Sequence, residues 1–263
     1  MTEPDGWAGA RYVAMGSSFA AGPGIPRRVP DSPRRAGRST GNYAHLVARR
    51  LGLDLVDVTY SGATTGEFVA SVKRPAQVAA VTGSTRLVTV TGGGNDVGFA
   101  PRILFSSLPG PLRSLPSIRR QLGSFADPAR TEERFGQLRE NLRQLATQVR
   151  ERAPRSRLVF VDYLTVLPPD ASTPTGRLPA EVADWARGIA TRMSRVTQEA
   201  AAEAGALFVP AGAASADHHA WSAGPWTNQF QLRFHDGAAY HPKAAGMAAV
   251  AGLVTDLLAA APG

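Results

Sequence analysis

The sequence contains no cysteine and only two lysines, Lys73 and Lys243. The lack of cysteine excludes disulfide bonds, thiolate metal sites and a cysteine nucleophile. No apolar run reaches the ~18 residues that are needed to cross a bilayer. The residues before the first predicted strand include two acids and no apolar core, unlike a secretory signal. We therefore expect a cytoplasmic protein with no transmembrane segment.

The positive charge comes almost entirely from arginine, and the formal net charge is +8. These arginines are scattered along the chain, and aromatic residues do not alternate with them as they do in a stacking platform for nucleic acid. We interpret most of them as solvated helix faces and expect no specific nucleic-acid partner. A preference for anionic substrates or surfaces is the alternative.

Short stretches rich in β-branched residues predict the strands of a parallel sheet that is covered on both faces. They are residues 11–16, 54–60, 86–92, 157–163 and 206–211. Longer stretches with apolar residues at steps of three and four predict helices between and after them. These are residues 42–52, 132–152, 181–205 and 242–261. The alternation is typical of an α/β fold with helices on both sides of the sheet.

Two stretches interrupt this alternation. Residues 26–40 are rich in proline, arginine and serine and predict a loop. Residues 100–130 combine leucines with four prolines before Asp127, which is too apolar for a linker and too broken for one long helix. Such an insertion is often a lid or a binding wall, and the alternative is a surface subdomain with its own small core. We expect one domain over residues 1–263, with this insertion as a possible lid.

Serine, glycine, asparagine and histidine residues follow the predicted strands, at the edge where open parallel sheets bind their ligands. They comprise Gly16, Ser17 and Ser18 after the first strand, Ser61 and Gly62 after the second, Gly92 to Asp96 after the third, and His235, Asp236 and His241 before the last helix. A nucleophile, donors for an oxyanion and a general base are what acyl transfer requires. Taken alone, the two serines are also typical of a helix N-cap.

Four blocks, in this order along the chain, resemble the SGNH hydrolases, which are also called the GDSL esterase/lipase family. They are "GSSFAAG" (16–22), "SGATT" (61–65), "GGND" (93–96) and "HPKAAG" (241–246). The resemblance implies a three-layer α/β/α fold with a flavodoxin-like parallel sheet of about five strands. It also implies hydrolysis or transfer of an ester-linked acyl group, with no metal or organic cofactor.

The resemblance also implies a role for each matching residue. Ser18 is the expected nucleophile, and its backbone N–H joins the oxyanion hole together with Gly62 and Asn95. His241 is the expected general base. Ser17 stands where the family usually has aspartate, and we expect it to hold the turn.

The chain departs from the family beside the histidine, because Ala238 stands where an aspartate commonly orients the imidazole. Asp236 is one substitute, if the loop bends far enough. A backbone carbonyl near Ala238 is the other and would make a Ser–His dyad. We predict the carbonyl, because moving an aspartate by two residues changes its reach substantially. His235 competes as the base but lacks the Pro–helix context of His241.

The substrate is expected to be a small-molecule acyl ester or an acylated carbohydrate. Aromatic residues before the histidine, Trp221, Trp226, Phe230 and Phe234, are candidates to line the pocket, unless they only pack the last loop onto the sheet. The favoured function is a serine esterase that forms an acyl-enzyme on Ser18. An acyltransferase that uses a sugar or another alcohol as acceptor is the close alternative. A catalytically weak binding module is the alternative of another class.

Overall fold

A five-stranded, fully parallel sheet forms the centre of the protein in a computed structural model that describes residues 6–72, 74–232 and 236–261. Its strands are β1 (Arg11–Gly16), β2 (Asp54–Asp57), β3 (Thr85–Thr91), β4 (Arg157–Val161) and β5 (Leu207–Val209). Their spatial order is β2-β1-β3-β4-β5. The predicted flavodoxin-like sheet is therefore confirmed.

The described residues form ten α-helices. They are α1 (Ser18–Ala21), α2 (Tyr43–Leu51), α3 (Gly66–Val69), α4 (Phe99–Ser106), α5 (Gly110–Arg113), α6 (Pro116–Ala126), α7 (Pro128–Arg152), α8 (Ala180–Glu203), α9 (Ala211–Ala214) and α10 (Ala244–Ala260). The four predicted helices correspond to α2, α7, α8 and α10. None of the helices in the described part of the chain is both long and apolar enough to cross a membrane.

Strand β2 ends at Asp57, earlier than predicted. The Asp57 carboxylate accepts hydrogen bonds from the backbone N–H and the hydroxyl of Thr59, at 3.0 and 2.6 Å. The chain nevertheless continues alongside β1, because the Val58 and Tyr60 N–H groups donate to the Ala14 and Gly16 carbonyls at 3.0 and 2.9 Å. The predicted segment up to residue 60 therefore stays beside β1 beyond the end of the regular strand.

The two faces of the sheet carry separate apolar clusters, which makes three layers. Val13 and Met15 of β1 face a cluster that includes α7 and α8 residues, whereas Tyr12 and Ala14 face a cluster with α2 and α10 residues. Successive side chains of a strand point to opposite faces, so helices on both sides cover near-continuous apolar strands. The predicted three-layer α/β/α architecture is confirmed.

The insertion forms three helices rather than one, since prolines separate α4, α5 and α6. Helix α4 buries Phe99 and Ile103 in the same cluster as α7 and α8. In contrast, α5 and α6 bury none of their residues. We call residues 107–126, which contain α5 and α6, the α5–α6 arm.

The strand order reverses between β1 and β3, since the chain adds β2 on one side of β1 and later strands on the other. Helices that leave in opposite directions open a crevice beyond the carboxyl ends of the two strands at such a switch point. The segments that follow β1 and β3 contain Ser18 and Asn95. The topology therefore places both at the crevice.

Candidate active site

The turn after β1 brings the chain against β3 before it enters α1. The Ser17 N–H donates to the Thr91 carbonyl at 2.9 Å. A Cβ atom at Gly16 would lie only 2.6 Å from the same carbonyl oxygen, so this close approach requires glycine. Ser18 begins α1 and is 7% exposed.

Gln77, which belongs to none of the four sequence blocks, holds the same turn. Its Oε1 accepts the Gly16 N–H at 2.7 Å, and its Nε2 donates to the Gly16 carbonyl at 3.0 Å. The side chain is buried, so both of its polar groups find their partners on one residue of the turn. The sequence analysis missed Gln77, because nothing local marks its amide as a partner of a residue 61 positions away.

Ser17 lies fully buried and has a different partner from Ser18. Its Oγ is hydrogen-bonded to the Tyr163 hydroxyl at 2.9 Å, and this hydroxyl also accepts the Gly94 N–H at 3.2 Å. Burial raises the pKa of Tyr163 to about 12. The Ser17 side chain makes no capping bond to α1, so the capping interpretation of this serine is wrong. Instead it joins the turn after β1 to the segments after β3 and β4.

His241 lies directly beside Ser18. Its Nε2 is 2.7 Å from the Ser18 Oγ, and its Nδ1 is 2.7 Å from the backbone carbonyl oxygen of Ala239. A carbonyl only accepts, so Nδ1 carries the proton and Nε2 is left to accept from the serine hydroxyl. Burial lowers the pKa of His241, although the Ala239 carbonyl acts in the opposite direction.

A tight turn brings the Ala239 carbonyl to the imidazole. The His241 N–H donates to the Ala238 carbonyl at 3.1 Å, and Tyr240 between them has a φ of +58°. Left-handed backbone is costly for tyrosine. The ring of Tyr240 is buried, and its hydroxyl is hydrogen-bonded to the Ser107 Oγ at 2.6 Å, which holds the turn in place.

Asp236 has different partners from those expected of a triad aspartate. Its Oδ1 accepts the N–H of Ala244, the first residue of α10, at 2.9 Å. Its backbone carbonyl accepts from the Asn228 side chain at 2.7 Å. No hydrogen bond or ion pair joins it to His241, although both residues lie in the described part of the chain. The structure therefore brings Asp236 to the N-terminus of α10 and not to the imidazole.

Three backbone or side-chain donors in the segments that follow β1, β2 and β3 lack a complete set of partners among the described residues. The turn from Tyr60 to Ala63 closes with a 3.0 Å bond between these two residues, and Gly62 within it has a φ of +80°. No hydrogen bond within the described residues uses the N–H of Gly62 or of Ser18. Asn95 gives one amide hydrogen to the Ala63 carbonyl at 3.0 Å, and its second hydrogen has no partner within the part of the chain that the structure describes.

A buried carboxylate ties the loop after β2 to the loop after β3. Asp96 accepts from the backbone N–H and the hydroxyl of Thr65, at 2.9 and 2.6 Å. Asn141 of α7 donates to the same hydroxyl at 3.0 Å. Burial raises the pKa of Asp96 to about 6, although the hydrogen bonds from Thr65 oppose that shift. The two loops that carry Gly62 and Asn95 are thus fixed relative to each other.

The candidate pocket aromatics separate into two groups. The rings of Trp221 and Phe230 lie 6.4 and 6.3 Å from the ring of Tyr240, next to His241. Trp226 instead stacks on His218 at 4.0 Å and packs with the cluster that contains α10, so the structure does not bring it to this group. Phe234 and His235 lie outside the described residues.

Comparisons with known sequences indicate the family of the chain. A sequence model of the GDSL-like lipase/acylhydrolase family matches residues 14–249. Over 261 residues the chain is 32% identical to Lipase 2 of Streptomyces coelicolor, and the alignment covers 94% of this chain and 85% of that protein.

Solved structures with the same fold include two from Streptomyces species. Phospholipase A1 from Streptomyces albidoflavus NA297 has a TM-score of 0.78 at 24% identity, with 95% of this chain and 99% of that chain covered. The extracellular lipase from Streptomyces rimosus has a TM-score of 0.75 at 26% identity, with 94% and 99% covered.

The family match extends over most of the chain and includes both Ser18 and His241. The sheet order, the three layers and the similarity to a lipase along nearly the whole sequence agree with it. The chain therefore belongs to the GDSL-like lipase/acylhydrolase family and is a serine ester hydrolase.

Proposed function

We propose that Ser18 is the nucleophile of this hydrolase and that His241 is its general base. The observation that carries the proposal is the 2.7 Å contact between the Ser18 Oγ and the His241 Nε2, with the imidazole held through Nδ1. As Oγ attacks the ester carbonyl carbon, its proton moves to Nε2. The imidazolium then protonates the departing alcohol, which leaves an acyl-enzyme on Ser18. Water, activated by the same imidazole, releases the acid.

The negative charge of the tetrahedral intermediate falls on the former carbonyl oxygen. We assign its stabilisation to the N–H groups of Ser18 and Gly62 and to the free amide hydrogen of Asn95. Donors that are fixed before the reaction stabilise this charge without a cost of reorganisation. The bonds that Asn95 donates to Ala63 and that Thr65 donates to Asp96 provide that rigidity.

The proposed machinery is a Ser18–His241 dyad, oriented by the Ala239 carbonyl. A carbonyl dipole selects the tautomer with the proton on Nδ1 and stabilises the imidazolium less than a carboxylate would. Asp236 is assigned to the N-terminus of α10, where its charge also complements the helix dipole.

The proposed substrates are carboxylic esters with an apolar acyl chain. Trp221 and Phe230, which flank Tyr240, are the proposed aromatic wall beside His241. The insertion at about residues 100–130 is proposed as a second wall, because its Ser107 is hydrogen-bonded to Tyr240. An acylated carbohydrate remains the alternative substrate, and a cytoplasmic location remains a prediction.

Turnover of p-nitrophenyl butyrate tests the assignment. Wild-type protein is expected to hydrolyse this ester, and Ser18→Ala and His241→Ala to lose at least about a thousandfold in kcat. Asn95→Ala is expected to lose about a hundred- to a thousandfold, the usual effect of one oxyanion donor. Equal turnover in wild type and Ser18→Ala would contradict the proposal and favour a binding module. Acylated products formed with added sugars would show transfer to an acceptor other than water.

A further inference from the structure

The α5–α6 arm exposes several apolar side chains that are close together in the sequence. Leu112 and Leu115 are 47% and 46% exposed, and both helices of the arm bury none of their residues. Single exposed leucines are ordinary on protein surfaces. Here, however, they fall within "LPGPLRSLP" (108–116), in which Pro111 and Pro116 are exposed as well. Exposed apolar side chains that are clustered in this way indicate an interaction site.

The same arm carries positive charge that no acidic residue of the arm balances. It contains three arginines and no acidic residue. None of Arg113, Arg119 and Arg120 forms an ion pair in the described part of the chain. On the neighbouring helices α7 and α8 the situation differs, because arginines there pair with glutamates. Examples are Arg139 with Glu199, Arg143 with Glu203 and Arg192 with Glu132.

The arm starts at the edge of the molecule that carries the active-site dyad. Ser107, its first residue, is hydrogen-bonded at 2.6 Å to the hydroxyl of Tyr240, the residue before His241. The loop that precedes Tyr240 adds a further exposed apolar side chain, since Leu232 is 78% exposed. Apolar and cationic surface therefore lie on the side where an ester substrate would enter.

We propose that the α5–α6 arm docks on the surface of an anionic lipid bilayer and holds the Ser18 side of the molecule against it. Leucines and prolines insert into the boundary between headgroups and acyl chains, while Arg113, Arg119 and Arg120 contact lipid phosphates. Each arginine near an anionic surface contributes about a fivefold factor in partitioning. Several weak contributions of this kind give reversible, salt-sensitive binding.

The proposal extends the proposed function, because docking would bring lipid esters to the nucleophile. The binding step itself does not use Ser18, so it is measured in the Ser18→Ala protein, which cannot form an acyl-enzyme. A failure of docking is thereby distinguishable from a failure of the catalytic assignment.

Vesicle co-sedimentation tests the proposal. Ser18→Ala protein is expected to sediment with vesicles of phosphatidylcholine and phosphatidylglycerol, to bind pure phosphatidylcholine at least tenfold more weakly, and to be released by salt. Adding Arg119→Glu with Arg120→Glu, or Leu112→Ser with Leu115→Ser, is expected to weaken binding about tenfold or more. Circular dichroism verifies that each variant is folded.

A matched charge control comes from the opposite edge of the sheet. Arg152 and Arg155 are exposed and precede β4, so Arg152→Glu with Arg155→Glu changes the net charge equally but is expected to leave most vesicle binding intact. The chain lacks cysteine, so Leu112→Cys and Arg155→Cys each accept one environment-sensitive fluorophore. Only the Leu112 label is expected to shift to the blue on anionic vesicles.

Several results would overturn the proposal. They are no binding to either kind of vesicle, equal binding to both, or equal loss in the arm and control variants. The protein could also bind a DNA duplex. If the arginine substitutions abolish binding to both DNA and vesicles while the leucine substitutions change neither, the arm is only a patch that binds polyanions. A protein that forms a dimer and does not bind vesicles, and whose dimer dissociates when Leu112→Ser and Leu115→Ser are introduced, would show that the arm contacts a second copy of the chain instead.

Discussion

Ser17 and Ser18 are neighbours with opposite surroundings. Ser17 is fully buried, and its hydroxyl is bonded to Tyr163, whereas the Ser18 hydroxyl faces the His241 imidazole. A fluorophosphonate is therefore expected to label Ser18 and not Ser17, because only one hydroxyl has a base to take its proton. Peptide mass mapping of the adduct measures this.

Ser17→Ala is the matched control for that experiment. It removes a hydroxyl one position away and is expected to keep labelling within about tenfold of wild type, since the base beside Ser18 is untouched. Labelling that disappears in Ser17→Ala and survives in Ser18→Ala would reverse the assignment of the two serines.

The residue that orients His241 gives a second prediction at this scale. Asp236→Asn is expected to reduce kcat about tenfold or less, because the Ala239 carbonyl and not this carboxylate holds Nδ1. His241→Ala is expected to be severe. Asp236→Ala should instead lower the free energy of unfolding by about 1 kcal/mol, the usual effect of losing a helix cap.

The measurements are kcat from ester hydrolysis and urea unfolding of the same preparations. A thousandfold loss of kcat in folded Asp236→Asn would replace the dyad with a Ser18–His241–Asp236 triad, since that is the scale of losing the acid of a full triad.

At the scale of the element, the turn between β1 and α1 depends on a side chain from elsewhere in the chain. Gln77→Leu leaves the Gly16 N–H buried without its acceptor, and the expected loss in the free energy of unfolding is roughly 1–3 kcal/mol. The displaced turn should also slow the labelling of Ser18. Gln198→Leu, an exposed glutamine on α8, is the matched control and should change neither quantity. Equal effects in both variants would contradict a specific role for Gln77.

The insertion gives a second prediction about elements. Replacing residues 109–126 with a short glycine–serine linker removes α5 and α6 but leaves α4 and the Asp127 cap of α7. We expect this change to alter the preference between long and short acyl chains more than the hydrolysis of acetate esters, because the insertion is proposed as a wall. Rates on a series of p-nitrophenyl esters measure it. Equal loss on short and long esters would indicate a structural role.

For the whole molecule, pH acts on the site and on stability through different groups. Burial lowers the pKa of His241, so the imidazole stays neutral, and able to accept the Ser18 proton, to lower pH than an exposed histidine. We expect kcat/KM to fall at acid pH, with the midpoint of this fall below about pH 6.5, the ordinary pKa of histidine. A midpoint above it would contradict the burial argument.

Two buried carboxyl groups make the free energy of unfolding depend on pH in the opposite direction, so that it falls as pH rises. Burial raises the pKa of Asp96, and that of Asp162 directly after β4, to about 6. The native state therefore still binds these protons at a pH where the unfolded state has already released them. The stability that the two groups contribute is complete below about pH 3.9 and is lost as pH rises through about 6. Urea unfolding between pH 4 and 7 should show a smaller fall in stability for Asp96→Asn than for wild type. Equal slopes would contradict this assignment.

The sequence by itself determined the class of fold and the residue types of the site. Apolar runs with β-branched residues marked all five strands, and helical periodicity marked α2, α7, α8 and α10, because both patterns reflect which face of an element is buried. The four blocks lie next to strand ends or a helix start. Their position at one edge of the sheet followed from local patterns and the geometry of parallel strands.

Only the tertiary structure decided which groups meet. The bonds from Gln77 to Gly16 and from Tyr163 to Ser17 join residues 61 and 146 positions apart, and His241 reaches Ser18 across 223. The choice of the Ala239 carbonyl over Asp236 depends on a left-handed Tyr240 that Ser107, in a distant helix–arm junction, holds in place. Such contacts arise from the packing of whole elements, and local periodicity contains no information about them.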